Sequence, residues 1–256
     1  MKLTDRRHAV LLLALALALA LGGGARARAA ELQLLAGGAL AESLTVLAAR
    51  FEQASGHRLV IRYGTTPELI RLAADSPFDV GVLPQDVLKD VAARARFAPG
   101  ASTDVAHSGL AVAVRAGAPK PDISTPQALK RTLLNAKSIA TIPASATGTQ
   151  LLKVFGQLGI SEAIKPKIRA QPTPAKLVET VASGENELAV FLMNVVRAPG
   201  LDVVGPFPPA LQQQVVFTAA VAANTRRADA ARAFIRYLIS PAAAAVFKAR
   251  GLDPGG

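Results

Sequence analysis

The chain has 256 residues, 51% of them hydrophobic and 4% aromatic, with a net charge of +11 and no cysteine. That much apolar material can bury a full core, as one large domain or two smaller ones. The lack of thiols excludes a disulfide framework, a lipid-modified cysteine anchor and a thiolate metal centre, and scarce aromatics among scattered charges argue against nucleic acid as a partner.

The N-terminus reads as an export leader. Lys2, Arg6 and Arg7 precede an apolar run from Ala9 to Leu21, and Ala27-Arg28-Ala29 offers the small residues of a cleavage site. The run is shorter than the about 20 residues of a membrane span. Removing residues 1–29 as a signal peptide takes away Lys2, Asp5, Arg6, Arg7, Arg26 and Arg28, and lowers the net charge from +11 to +7. The expected location is the bacterial periplasm, reached by general secretion or, through Arg6-Arg7, by a twin-arginine route.

Beyond the leader, Leu- and Val-rich runs alternate with amphipathic segments. Leu32–Ala36 is predicted as a strand, and Leu40–Ser55 as a helix with Leu40, Leu44, Leu47 and Phe51 on one face, stopped by Gly56. Leu59–Tyr63 is the next strand. In GTTPEL, Thr66 is the expected N-cap, with Pro67 at the first helical position and Glu68 in the first turn. Phe78–Leu83 is a buried strand, and Gly109–Gly117 another, followed by a Pro-rich spacer. The alternation then resumes: a helix Pro126–Leu134, a strand Ser138–Ile142, a helix from Thr149 to Leu158, a helix capped by Thr173, and a strand in ELAVFL. A long strand over Gln214–Asn224 and helices over Arg227–Ile239 and after Pro241 complete the chain. Such alternation implies an α/β fold with right-handed crossovers and mostly parallel sheets. Two units joined by two long strands give two lobes, residues 30–110 with 220–256, and residues 111–219.

Ligands of open α/β sheets sit beyond the C-terminal strand ends, where helix starts present free N–H groups to anions. Three junctions fit: Gly37-Gly38-Ala39, Gly64-Thr65-Thr66, and Ser145 to Thr149. Thr65, Thr66, Thr147 and Thr149 are candidate hydroxyl donors, and Ala39 and Gly148 candidate backbone donors, to a small anion. Each such bond to a charged acceptor is worth about 1.5–3 kcal/mol. The two glycines would let the backbone come close to that anion. Asn194 and Arg197, after the ELAVFL strand, are within reach of the same cleft. The alternative for any one junction is an ordinary capped helix. No phosphate-binding loop or dinucleotide pattern is present, and His57 and His107 lack metal-ligand spacing, so no cofactor or metal is expected. Glu68 and Asp79 are candidate acid–base groups, with helix-dipole and backbone-bonding roles as the plainer readings.

The order of pieces resembles the molybdate-binding family of periplasmic solute receptors, over nearly the whole chain after the leader. It is carried by the opening strand and helix, by YGTTPELIRLAADSPFDVGVLPQD, LAVAV, IATIPASATGTQLLKVFGQLG and VASGENELAVFL, and by the closing AFIRYLISPAAAAVFKARGL. The resemblance implies a two-lobed type II binding protein, a monomer that closes over its ligand by hinge motion and serves the membrane permease of an ABC transporter. It also implies oxyanion contacts at the three junctions. Ala39 stands where the family usually has serine, Thr65 and Thr66 replace serines, Ala146 and Thr147 fall at the third junction, and Leu192 falls where a tyrosine is expected. Each missing hydroxyl costs a buried dianion about 1–3 kcal/mol, so organic carboxylates and molybdate-like oxyanions are both open as ligands. Some relatives of these receptors resemble isomerases of unsaturated tricarboxylates such as aconitate, which is the alternative function. A module presenting its ligand to a sensor is a third.

Overall fold

The computed structural model describes residues 29–255; the leader read over residues 1–29 lies outside them but for Ala29. Strand β1 (Glu31–Gly37) is packed on both faces: Leu32, Leu34 and Ala36 enter the main core, while Leu35 enters a second, smaller core behind it. A strand covered on both sides needs no polar face, which explains its apolar run from Leu34 to Ala36. Parallel neighbours β2 (Arg58–Gly64) and β3 (Val80–Pro84) flank it.

Helix α1 (Ala41–Ser55) makes the first crossover. It buries Leu44, Leu47 and Phe51 and stops at Gly56, whose φ of +73° suits glycine. Leu40, expected as its first residue, instead ends a 3-10 turn over Gly38–Leu40. Helix α2 (Thr66–Asp75) starts one residue earlier than expected. Thr65, not Thr66, is the N-cap, and Pro67 takes the second helical position. The reason is Glu68: its carboxylate reaches back to the Thr65 N–H at 2.7 Å, which fixes Thr65 as the cap.

After a 3-10 turn over Gln85–Lys89 and the short α3 (Val91–Arg94), the chain enters β4 (Phe97–Arg115). The strand expected from Gly109 is only its second half. The first half pairs antiparallel with β9 (Gln214–Ala222), and the pairing is broken by a shift between Phe97 and Ser102. Its Pro, Gly and polar residues hide it from a local reading. From Leu110 onward β4 pairs instead with β7 (Leu188–Leu192) and β8 (Leu201–Pro206), so one strand serves two sheets.

In the second sheet, β5 (Ile139–Thr141) lies parallel between β6 (Ile168–Ala170) and β7. Helices α4 (Pro126–Asn135), α5 (Ala146–Gln157), α6 (Ser161–Ile164), α7 (Pro174–Ala182) and α8 (Met193–Val196) connect its strands. Strand β9 then runs antiparallel to β3 from Pro84 back to Val80, and it belongs to the first sheet from Gln214 onward, ahead of residue 220. The main strand order is β2-β1-β3-β9-β4-β7-β5-β6, with β8 paired to β4 off this path. Helix α9 (Ala228–Leu238) returns to α1, where Phe234 and Tyr237 stand 5.0 and 5.6 Å from the Phe51 ring. Helix α10 (Pro241–Ala249) and strand β10 (Asp253–Pro254), antiparallel to β4, follow.

At the change of sheet along β4, the Gln212 side chain reinforces backbone bonds that Leu110 makes with Gln213 and Phe207. Gln212 Oε1 accepts the Leu110 N–H at 2.7 Å, and Nε2 donates to the Leu110 carbonyl at 3.0 Å. Gly109 leaves the space: a Cβ there would stand 3.1 Å from the Gln212 amide.

Candidate functional site

The C-terminal ends of β1, β2, β5, β6 and β7 converge on one cavity of about 690 Å³. Its lining comes from both sheets, and its floor from Val215 and Phe217 of β9. Of the residues singled out in the sequence, Ala39, Thr65, Thr66, Thr147, Leu192 and Asn194 line it. Gly148 and Thr149 do not.

At the first junction neither Gly37 nor Leu40 makes a side-chain cap hydrogen bond; the 3-10 turn runs straight into α1, whose Ala41 N–H goes to the Gly38 carbonyl, and Gly38, Ala39 and Ala41 line the cavity. Gly37 serves packing: a Cβ there would meet Phe217 and Pro84, each at 3.2 Å, whereas one on Gly38 would make only an ordinary contact, 3.5 Å from Pro174 of α7. Ser43 is buried and lines the cavity as well. The sequence reading missed it, although it lies one helical turn beyond Ala39 and so on the same face.

At the second junction Glu68 accepts hydrogen bonds from the Thr65 N–H at 2.7 Å and from the Thr65 hydroxyl at 2.9 Å. These bonds, the backbone one first, hold the Glu68 carboxyl below its ordinary value. The Thr65 proton is thereby committed to Glu68. Thr66 Oγ1 accepts the Ala146 N–H at 2.9 Å, linking the second junction to the third.

The third helix starts at Ala146 rather than Thr149. Ser145 is the cap, and its Oγ accepts the Gly148 N–H at 3.0 Å. The Thr149 N–H goes to the Ser145 carbonyl at 3.0 Å, and the Thr149 hydroxyl donates to the same oxygen at 3.3 Å. Both N–H groups are used by the helix's own first turn. Gly148 is required for a different reason: a Cβ there would lie 2.1 Å from the Pro143 carbonyl oxygen.

Leu192 is 1% exposed and lines the apolar wall with Phe191 and Val195. Asn194 Nδ2 donates to the Ala39 carbonyl at 2.6 Å, a second bond across the cleft. Arg197 and Asp79 are not among the lining residues. Asp79 is buried, where it accepts the Gln33 N–H at 2.8 Å and the Thr225 hydroxyl at 2.5 Å, with Arg227 at 3.5 Å. It is a structural brace between β1 and the chain after β9, not an acid–base group of the cleft. His57 is buried too, with Nδ1 accepting the Ala30 N–H at 3.1 Å.

The charged lining residues are Glu42, Glu68, Glu179 and Arg250. Arg250 Nη1 is paired with Glu42 Oε2. Lys176 Nζ holds Glu179 at 2.6 Å. Arg250 went unnoticed in the sequence because it belongs to the far end of the chain, 208 residues from Glu42.

An aconitate isomerase of a Pseudomonas species is 34% identical over 232 residues, 87% of each chain. The molybdate-binding protein ModA of Azotobacter vinelandii is 26% identical over 228 residues, 87% of this chain and 89% of that one. A solved Azotobacter vinelandii periplasmic molybdate-binding protein superposes with a TM-score of 0.68 at 23% identity, over 86% of this chain and 98% of the other. Its likeness establishes the two-lobed type II binding-protein fold. A family model for bacterial extracellular solute-binding proteins matches residues 32–253. The chain therefore belongs to the bacterial extracellular solute-binding protein family, with the fold of its molybdate-receptor-like members.

Proposed function

We propose that this chain is a periplasmic receptor that captures a small organic carboxylate in the cleft and delivers it to the permease of an ABC transporter. The observation that carries this reading is the cavity's size together with its wall. It measures about 690 Å³ and is walled by Ile142, Val178, Phe191, Leu192, Val195 and Phe217. A tetrahedral oxyanion displaces roughly 90 Å³, the share of about three waters, and needs a polar cage. Sites for small organic ligands span about 300–1,000 Å³ with mostly apolar walls. The Gly38-Ala39 backbone ahead of α1, with Ser43 and Thr147, supplies donors to a carboxylate at one end, while Leu192 and its neighbours cover a carbon skeleton. In this reading the lobes hinge where β4 changes sheet at Gly109–Leu110 and where the chain returns at Gln213–Gln214.

A thermal-shift panel of molybdate, tungstate, sulfate, succinate, citrate and cis- and trans-aconitate tests the reading. A carboxylate at 100 times its Kd adds about 2.7 kcal/mol of stability. A response confined to molybdate and tungstate would overturn it, and so would no response at all.

A second reading, isomerisation of an unsaturated tricarboxylate, is favoured by the 34% identity to an aconitate isomerase. It needs a base that removes a proton from one carbon and a route that returns it to another. Glu68 is the carboxylate at the cleft for this role, although the two bonds from Thr65 that keep it ionised also weaken it as a base. Proton NMR of cis- or trans-aconitate with the protein in deuterated water separates the readings. A receptor leaves its ligand unchanged. An isomerase interconverts the two with deuterium incorporation, and Glu68→Gln abolishes it.

A further inference from the structure

Arg250 is the one cationic side chain among the described residues lining the cavity, against three carboxylates. Two of these are held from elsewhere, Glu68 by Thr65 and Glu179 by Lys176. The third, Glu42, is held by Arg250 itself, whose Nη1 donates to its Oε2. A guanidinium has five N–H donors in a planar fork, and this contact occupies one nitrogen. The Arg250 side chain is 35% exposed, so it is free to change partner.

Its backbone, by contrast, is fixed. Arg250 ends α10, with its N–H bonded to the Phe247 carbonyl at 3.0 Å. Gly251 follows at φ +77°, and Leu252 is buried. A Cβ on Gly251 would stand 3.3 Å from Met193 Cγ and 3.7 Å from Asn194 Cα, so this end of α10 rests against α8 at the wall of the cleft. A mobile cationic head on an anchored stem, at the edge of an apolar cavity, is suited to grip a carboxylate.

The geometry points to Arg250 as the carboxylate anchor of the cleft, with Glu42 as a built-in competitor that holds the guanidinium until a ligand carboxylate displaces it. This rests on the carboxylate reading above and names the residue that enforces it. A partly exposed ion pair contributes little to folding and exchanges readily. A ligand carboxylate brought against the apolar wall gains more, because the fork matches it in two parallel bonds that lysine cannot reproduce. The competitor would also give selectivity, since a ligand must out-bid Glu42 before the cleft accepts it.

Isothermal titration of succinate, citrate and tricarballylate into the unaltered protein, Arg250→Gln, Arg250→Lys and Glu42→Gln tests this, with unliganded melting measured alongside. Arg250→Gln is expected to weaken each carboxylate that binds by about 10- to 100-fold, and Arg250→Lys to recover only part of that loss. Glu42→Gln is expected to tighten binding by about 3- to 10-fold, a gain that a merely structural ion pair would not give. If Arg250→Gln unfolds, the lysine and Glu42 variants decide. Affinities of all variants within twofold of the unaltered protein would overturn the anchor and leave the carboxylate reading standing. Loss in Arg250→Gln without gain in Glu42→Gln would overturn the exchange. Absence of binding by the unaltered protein to all three acids and to cis- and trans-aconitate would overturn both readings.

Discussion

Asn194 and Ala39, 155 positions apart in the chain, meet across the cleft where Nδ2 of the asparagine donates to the alanine carbonyl at 2.6 Å. The other end of that amide, Oδ1, is buried without a partner among the described residues. Flipping the amide would set two oxygens face to face, so the donor assignment is fixed by its surroundings. This bond and the one from Ala146 N–H to Thr66 Oγ1 tie the two walls together. Closure is therefore expected to draw on both.

Asn194→Ala removes the first tie. Affinity for a bound carboxylate should fall about 3- to 10-fold, the worth of one hydrogen bond of about 1 kcal/mol. Asn194→Asp should lose more, since it sets a carboxylate against the Ala39 carbonyl. Titration calorimetry reads both, and equal affinities for all three proteins would show that closure does not use this contact.

Two glycines of one helix should respond in opposite ways. A Cβ at Gly148 would lie 2.1 Å from Pro143 O and 2.7 Å from Ile142 O, both backbone atoms that cannot swing aside. Gly148→Ala is expected to destabilise by about 2–4 kcal/mol. Gly156, further along α5, has nothing within 4 Å of its Cβ position. Gly156→Ala should stabilise by about 0.5–1 kcal/mol. Urea unfolding of the pair checks the contrast.

Glu68 gives a pH signature. Its folded pKa lies below the ordinary 4.5 because Thr65 donates two hydrogen bonds to the carboxylate. A depressed pKa means that the stabilisation is fully present above the ordinary value and is lost as pH falls through the folded one. The melting-temperature gap between the unaltered protein and Glu68→Gln should stay constant over about pH 6–8 and narrow below about pH 4.5. A gap that widens on acidification would contradict this account of the cap.

Gln212 should be sensitive at the sheet change. Gln212→Ala deprives Leu110 of both side-chain bonds and is expected to cost about 1–3 kcal/mol. Gln212→Glu offers a donor to the Leu110 carbonyl only when protonated, so its damage should shrink between pH 7 and pH 4. Chemical denaturation at the two pH values measures this.

The sequence by itself determined the longer helices and most of the buried strands, though not the first half of β4 or the short elements β6, β8 and β10. GTTPEL announces a capped helix because capping is a three-residue affair, with the acceptor on Glu68 close along the chain. Gly56 stops α1 and Thr173 starts α7 for equally local reasons. Even there, a Thr-Thr pair left the cap ambiguous by one residue, and SATGT hid the true cap at Ser145.

The tertiary structure alone decided what those starts are used for. Thr66 meets Ala146, Asn194 meets Ala39 and Arg250 meets Glu42 at separations of 80, 155 and 208 residues. No periodicity or cap preference carries information over such distances, because it depends only on the nearest turn of chain. Residues chosen for local hydroxyl chemistry, such as Thr65, turned out to bond their own helix. Ser43 and Arg250, ordinary within their helices, were brought to the cavity by packing of the crossovers against the two sheets.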